Sequence, residues 1–193
     1  AMDYSNAAEA SEMQRLALLQ EDIENWEKAL HYWERVLHYQ SKEFGEESFE
    51  VAIALCQVAR VMVAQGNYEG ALDLYQAASL KYQNTKMLLP NELVTNTVEV
   101  FQLLHQPLEA IAWLEELSLN SEVPEEKAWI LYELGRLYLE QGQLHESSRA
   151  LCRSAELGEG DEEHVFKLLQ KVEFLQQRME FSDSASTTLL ALE

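Results

Sequence analysis

The chain predicts an all-α fold, a stack of helix-turn-helix repeats closed by a final helix, and three observations carry that prediction. Only seven glycines and three prolines punctuate 193 residues rich in Ala, Leu, Glu and Gln, so little interrupts helix formation. One apolar pattern occurs twice in full, as Leu55, Val58, Ala59, Met62, Gly66, Tyr68, Ala71, Tyr75 and Ala78, then as Leu131, Leu134, Gly135, Tyr138, Gly142, Leu144, Ser147, Leu151 and Ser154. Each copy reads as helix, tight glycine turn, helix, with small residues where two helices approach and larger ones filling the space between. Two looser copies complete the set, and their matching small positions, Ala29, Ala71, Ala110 and Ser147, recur at roughly 40 residues.

The first repeat, 10–43, reads Met13, Leu16, Ala17 and Gln20, a turn at Glu24, then Trp26, Ala29, Trp33 and Val36. Gly45 ends its long second helix and Ser48 caps the helix that opens the second repeat, 48–83. Pro90 and Asn91 interrupt the chain before the third repeat, 91–118, which has Val94, Thr97, Val98 and Phe101, a turn at His105, then Pro107, Ala110, Leu114 and Leu117. Pro124 suits a first helical turn, and Glu125 and Glu126 suit the positive end of the helix that begins the fourth repeat, 125–157. Gly158 and Gly160 break the chain, and Asp161 caps a last helix, 161–181, with Val165, Leu168, Leu169, Val172 and Leu175 on one face and Lys167, Lys171, Gln177 and Arg178 on the other. An open stack needs such a helix to cover the apolar face of its last repeat. Residues 182–193 read as a flexible tail, although Leu189, Leu190 and Leu192 leave open a short apolar peptide that docks on this chain or on a neighbour.

This pattern resembles the tetratricopeptide repeat, whose unit carries small residues near its eighth, twentieth and twenty-seventh positions. The second and fourth repeats match well; the first and third match in the second helix and in apolar spacing. The longer period is similar to that of kinesin-light-chain-type repeats. The resemblance implies a right-handed α-solenoid over residues 6–181 whose first helices line a concave groove. Its groove positions fall on Gln14 and Leu18, on Ile53, Cys56, Arg60 and Val63, on Thr95, Asn96, Glu99 and Gln102, and on Trp129, Tyr132, Arg136 and Glu140. Of these, Arg60, Asn96, Trp129, Tyr132, Arg136, Ile53 and Gln102 form the candidate peptide-binding set. Arg60 and Arg136 would grip acidic side chains or a C-terminal carboxylate, and Trp129 would anchor an apolar side chain. The family's clamp for chaperone tails is not reproduced, because Gln14 and Leu18, then Glu92 and Asn96, stand where it carries lysine, asparagine and arginine.

Composition narrows the function further. The chain carries 34 acidic and 14 basic residues for a net charge of −20, spread along its length, which disfavours phosphate backbones and anionic lipid. No run approaches the about 20 apolar residues of a membrane span, and no signal peptide opens the chain. Ala1 ahead of Met2 reads as a cloning remnant. Cys56 and Cys152 fall two repeats apart and read as free thiols in a reducing, cytoplasmic compartment. His31 and His38 share a helix face with Glu34 but lie about 10 Å apart along the axis, too far to ligate one ion. No phosphate loop or nucleophile motif appears. The expectation is therefore a non-enzymatic intracellular scaffold or adaptor, with no cofactor, metal or catalytic residue, that binds a peptide segment of a partner protein. The alternative is a structural or self-assembly module in which the last helix, tail or convex face packs against further copies.

Overall fold

The computed structural model describes residues 4–158 and 162–190, with side chains described over 7–158 and 163–179. Among these residues there are nine helices and no strand: α1 Tyr4–Asp22, α2 Trp26–Phe44, α3 Phe49–Ala64, α4 Tyr68–Thr85, α5 Asn91–Leu103, α6 Pro107–Asn120, α7 Pro124–Glu140, α8 Leu144–Leu157 and α9 Glu162–Leu190. The fold is an all-α solenoid, and within each of its two units helices pack on their neighbours in chain order. It divides into two compact units, residues 1–106 and 107–193, with the division inside the third predicted repeat.

In the N-terminal unit α1 packs on α2, α2 on α3, α3 on α4 and α4 on α5. Ala17, Ala29, Trp33, Val36, Val58 and Val61 form one core, flanked by Met13, Trp26, Leu30 and Leu74. In the C-terminal unit α6 packs on α7, α7 on α8, and α9 on both α8 and α7. Its core around Leu151, Val165 and Val172 draws in Tyr132, Leu139, Leu144, Leu168 and Leu169, so α9 covers the face that α8 would otherwise leave wet. The four matching small positions, Ala29, Ala71, Ala110 and Ser147, are each completely buried. Close approach explains the fourth. A Cβ added to Gly135 would lie 2.5 Å from Leu151 Cγ. The Ser147 hydroxyl donates to the Gly135 carbonyl at 2.7 Å, as the Ser154 hydroxyl does to that of Ala128.

The four turns share one construction. Glu24, Gly66, His105 and Gly142 all adopt left-handed φ values, of 56°, 79°, 57° and 73°. The residue after each returns its N–H to a carbonyl five residues back: Asn25 to Gln20, Asn67 to Met62, Gln106 to Phe101 and Gln143 to Tyr138, all within 2.8–2.9 Å. These bonds satisfy carbonyls that a helix end leaves unpaired. The asparagine side chains at positions 25 and 67 then cap α2 and α4 by accepting from Lys28 and Gly70 N–H. Ser48 caps α3 by accepting from Val51 N–H. The predicted cap Asp161 lies outside the described residues, as do residues 191–193 of the predicted tail. The last helix, expected to end at 181, runs on to Leu190. No glycine or proline between 162 and 190 stops it, and Ser, Ala, Thr and Leu all tolerate helix.

Candidate functional site

Three of the seven candidate residues meet in the N-terminal unit. A cleft of about 170 Å³ is lined by Ile53, Cys56, Gln57 and Arg60 of α3, Tyr75 and Tyr82 of α4, and Pro90, Glu92, Leu93 and Asn96 at the start of α5. Helical spacing explains the α3 wall, because residues 53, 56, 57 and 60 lie on one face. The α4 wall comes from Tyr75 and Tyr82, seven residues apart, whose bodies are almost wholly buried. Ile53 is 43% exposed, so an apolar side chain stands at the edge of the cleft. Gln102 is half-buried further along α5 and does not line it.

Arg60 is already engaged. Its Nη1 and Nη2 both donate to the Glu21 carboxylate, the second at 2.9 Å, and Nη2 also reaches Gln57 Oε1 at 2.8 Å. Glu21 in turn accepts from Trp33 Nε1 at 2.6 Å, and its side chain is 9% exposed. The carboxylate expected from a partner is thus supplied by the last turn of α1. One ion pair ties α1 to α3 and rests on the core tryptophan of α2. The Asn96 side chain hydrogen-bonds to the Tyr75 hydroxyl. Burial, then the Glu92 charge, pushes the Cys56 thiol up to about 12 and, with Cys56 acting between them, the Tyr75 hydroxyl to about 12. Cys56 is therefore a protonated, weakly nucleophilic thiol at neutral pH. Both cysteines are free.

The other three candidates lie on α7 in the C-terminal unit. Arg136 donates from Nε and Nη2 to Glu133 at 2.9 and 2.8 Å and from Nη1 to Glu140 at 2.8 Å. Burial opposes its charge, but the charge and hydrogen bond of Glu133 together with the Glu140 carboxylate leave its pKa raised. Trp129 and Tyr132 are half-buried with ring centroids 5.1 Å apart, and Tyr132 packs into the core that α9 closes. This face is partly committed to capping the unit. Nearby, the Tyr138 hydroxyl donates to Glu115 and is pushed up to about 12 by burial and that bond.

A second cleft in the N-terminal unit, of about 380 Å³ between α1 and α2, gathers His31, Glu34 and His38 with Glu9, Arg35, Tyr39 and Lys42. Arg35 there is paired with Glu9. Among the described residues no group of three or more His, Cys, Asp or Glu side chains is placed to hold a metal ion. No helix among them is long and apolar enough to cross a membrane.

Sequence reasoning missed Glu21, Gln57, Tyr75, Tyr82 and Leu93 as parts of the site. Tyr75 belongs to the repeated apolar pattern and Tyr82 follows it by seven residues on the same helix, a spacing that is the available signal for a shared wall.

Residues 8–79 match the tetratricopeptide repeat family model. No curated protein matches the chain in sequence. Among solved structures, the nearly identical TPR-like repeats assigned to a Podosopora anserina kinesin light chain superpose with a TM-score of 0.57 at 20% identity, covering 90% of each chain. BtubC (BKLC) from P. vanneervenii gives 0.59 at 16% identity, covering 95% of this chain and 90% of that one. MamA gives 0.55 at 11% identity, covering 94% and 96%. The chain thus matches the tetratricopeptide repeat model over its first two repeats, and it shares the fold of these structures along at least nine tenths of its length. Proteins of this family generally mediate protein–protein interaction and are generally not enzymes.

Proposed function

We propose that this chain is a cytoplasmic adaptor that binds a segment of a partner protein through the first-helix face of its repeats, with the α3–α4–α5 cleft as its principal contact. The carrying observation is the convergence of Ile53, Cys56, Arg60 and Asn96 on that cleft, four positions that the family pattern assigns to a ligand-facing surface. The two free thiols support a reducing compartment, and the charge of −20 speaks against a nucleic-acid or anionic-membrane partner.

Arg60 and Arg136 enter this reading as organisers rather than open receptors. Each holds a carboxylate of its own chain, so a peptide carboxylate would have to compete with a bond already made. Trp129 and Tyr132 offer partly exposed aromatic area in the C-terminal unit and fit a second contact.

The test is affinity capture of partners with the whole chain beside Ile53→Arg, which places a bulky cation at the mouth of the cleft without disturbing the core. A partner retained by the wild type and lost by the variant, with both melting alike, supports the reading. Equal retention by both moves the contact elsewhere. One observation favours the self-assembly alternative: α9 exposes Phe166, Phe174 and Met179, each 58–59% accessible. That alternative predicts a mass that rises with concentration and falls on Phe166→Ser, Phe174→Ser substitution.

A further inference from the structure

The chemistry of the cleft's occupant can be read from what its walls leave unanswered. Only two of its lining residues are charged, Arg60 and Glu92. The Arg60 charge is met inside the chain by Glu21. Glu92 is exposed in the first turn of α5 and, among the described residues, makes no hydrogen bond or ion pair. The cleft therefore carries a surplus negative charge over an apolar and aromatic lining of Ile53, Tyr75, Tyr82 and Leu93. Its polar walls add no charge: the Gln57 carbonyl already accepts from Arg60, and the Asn96 side chain is bonded to the Tyr75 hydroxyl. Glu92 also contributes, after burial, to holding the Cys56 and Tyr75 protons, so its field reaches the interior of the cleft.

We propose that this cleft receives a lysine or arginine side chain from a basic segment of the partner protein, its alkyl stem against Ile53 and the tyrosine rings and its charge against Glu92. The inference rests on the reading of the cleft as the partner-binding site and reverses the acidic ligand expected from the arginines. A glutamate or aspartate in the cleft would face Glu92 with Arg60 already occupied. An aliphatic side chain would leave the Glu92 charge unanswered. A long basic side chain meets both the apolar walls and that charge, because such side chains bury their stems while their heads stay near water or a counter-charge. The net charge of −20 draws such a segment in from a distance.

The experiment selects binders from a displayed library of random dodecapeptides on the whole chain, then titrates one synthetic selected peptide into the wild type, Ile53→Arg, Glu92→Gln and Glu109→Gln. Glu109 is an exposed glutamate on α6 and controls for general charge attraction. The expected result is enrichment of lysine- or arginine-bearing peptides whose binding is lost in Ile53→Arg, weakens roughly tenfold in Glu92→Gln and is nearly unchanged in Glu109→Gln. Both glutamine variants should melt with the wild type. Selected peptides that are acidic or uncharged yet still lost in Ile53→Arg overturn the cationic occupant and leave the cleft as a binding site. Equal losses in Glu92→Gln and Glu109→Gln, or no loss in either, overturn it as well. Peptides indifferent to Ile53→Arg, or no enrichment at all, overturn both the occupant and the cleft.

Discussion

Glu21 and Arg60, 39 residues apart, form a two-contact ion pair that joins the end of α1 to the middle of α3, with Trp33 Nε1 bonded to the same carboxylate. The Glu21 side chain is 9% exposed and that of Arg60 40%, so the pair is half sheltered. Its removal is costly mainly through the carboxylate left behind.

Arg60→Ala should therefore destabilise the chain by about 2 kcal/mol, between the values for exposed and fully buried pairs. Glu21→Ala should cost a similar amount because it also strands the Trp33 N–H. A double variant should cost clearly less than the two losses added, as measured by urea unfolding.

The left-handed turns give a paired prediction. Gly66→Ala and Gly142→Ala should each lose about 1 kcal/mol, because a Cβ disfavours the positive φ both residues adopt. Glu24→Gly and His105→Gly should gain up to about 1 kcal/mol at the same turn position, offset in part by a more flexible unfolded chain. Thermal melts of the four variants should separate into two falls and two rises.

Packing between α7 and α8 predicts that Gly135→Ala destabilises by about 1–3 kcal/mol through collision with Leu151. Shortening Leu151 to alanine in the same chain should recover part of that loss, although Leu151→Ala alone should cost about 2–5 kcal/mol of its own. Urea midpoints of the two single variants and the double variant check this.

Alkaline pH should weaken the fold. Cys56, Tyr75 and Tyr138 hold their protons to about 12, above their ordinary values of 9.0 and 10.0. Between those ordinary values and about 12 the folded chain therefore binds more protons than the unfolded one, and stability falls as pH rises. The urea midpoint should drop steadily across that window. Mass-resolved alkylation at mildly alkaline pH should modify exposed Cys152 well before Cys56.

Much of the fold was legible because its signals are local. A left-handed turn followed by a helix start marks itself within a few residues, and even Glu24 and His105, which lack the glycine, were placed by the apolar spacing on either side. The buried small positions were legible for the same reason. The pairing of Arg136 with Glu133 and Glu140 was also available, at three and four residues' separation on one helix. The pairing of Arg60 with Glu21 was not, because it depends on how α1 and α3 lie side by side. That one long-range contact changes the chemistry of the cleft from carboxylate-receiving to cation-receiving. The extension of α9 to Leu190 was not legible, because the run from Ser182 to Ser186 reads as flexible although none of its residues forces a helix to stop.

The most direct measurement is hydrogen exchange of the whole chain with and without a captured partner or selected peptide. The account predicts added protection in 53–60 and 92–96, with little change along α9. Protection confined to α9, or to the cleft between α1 and α2, would contradict it.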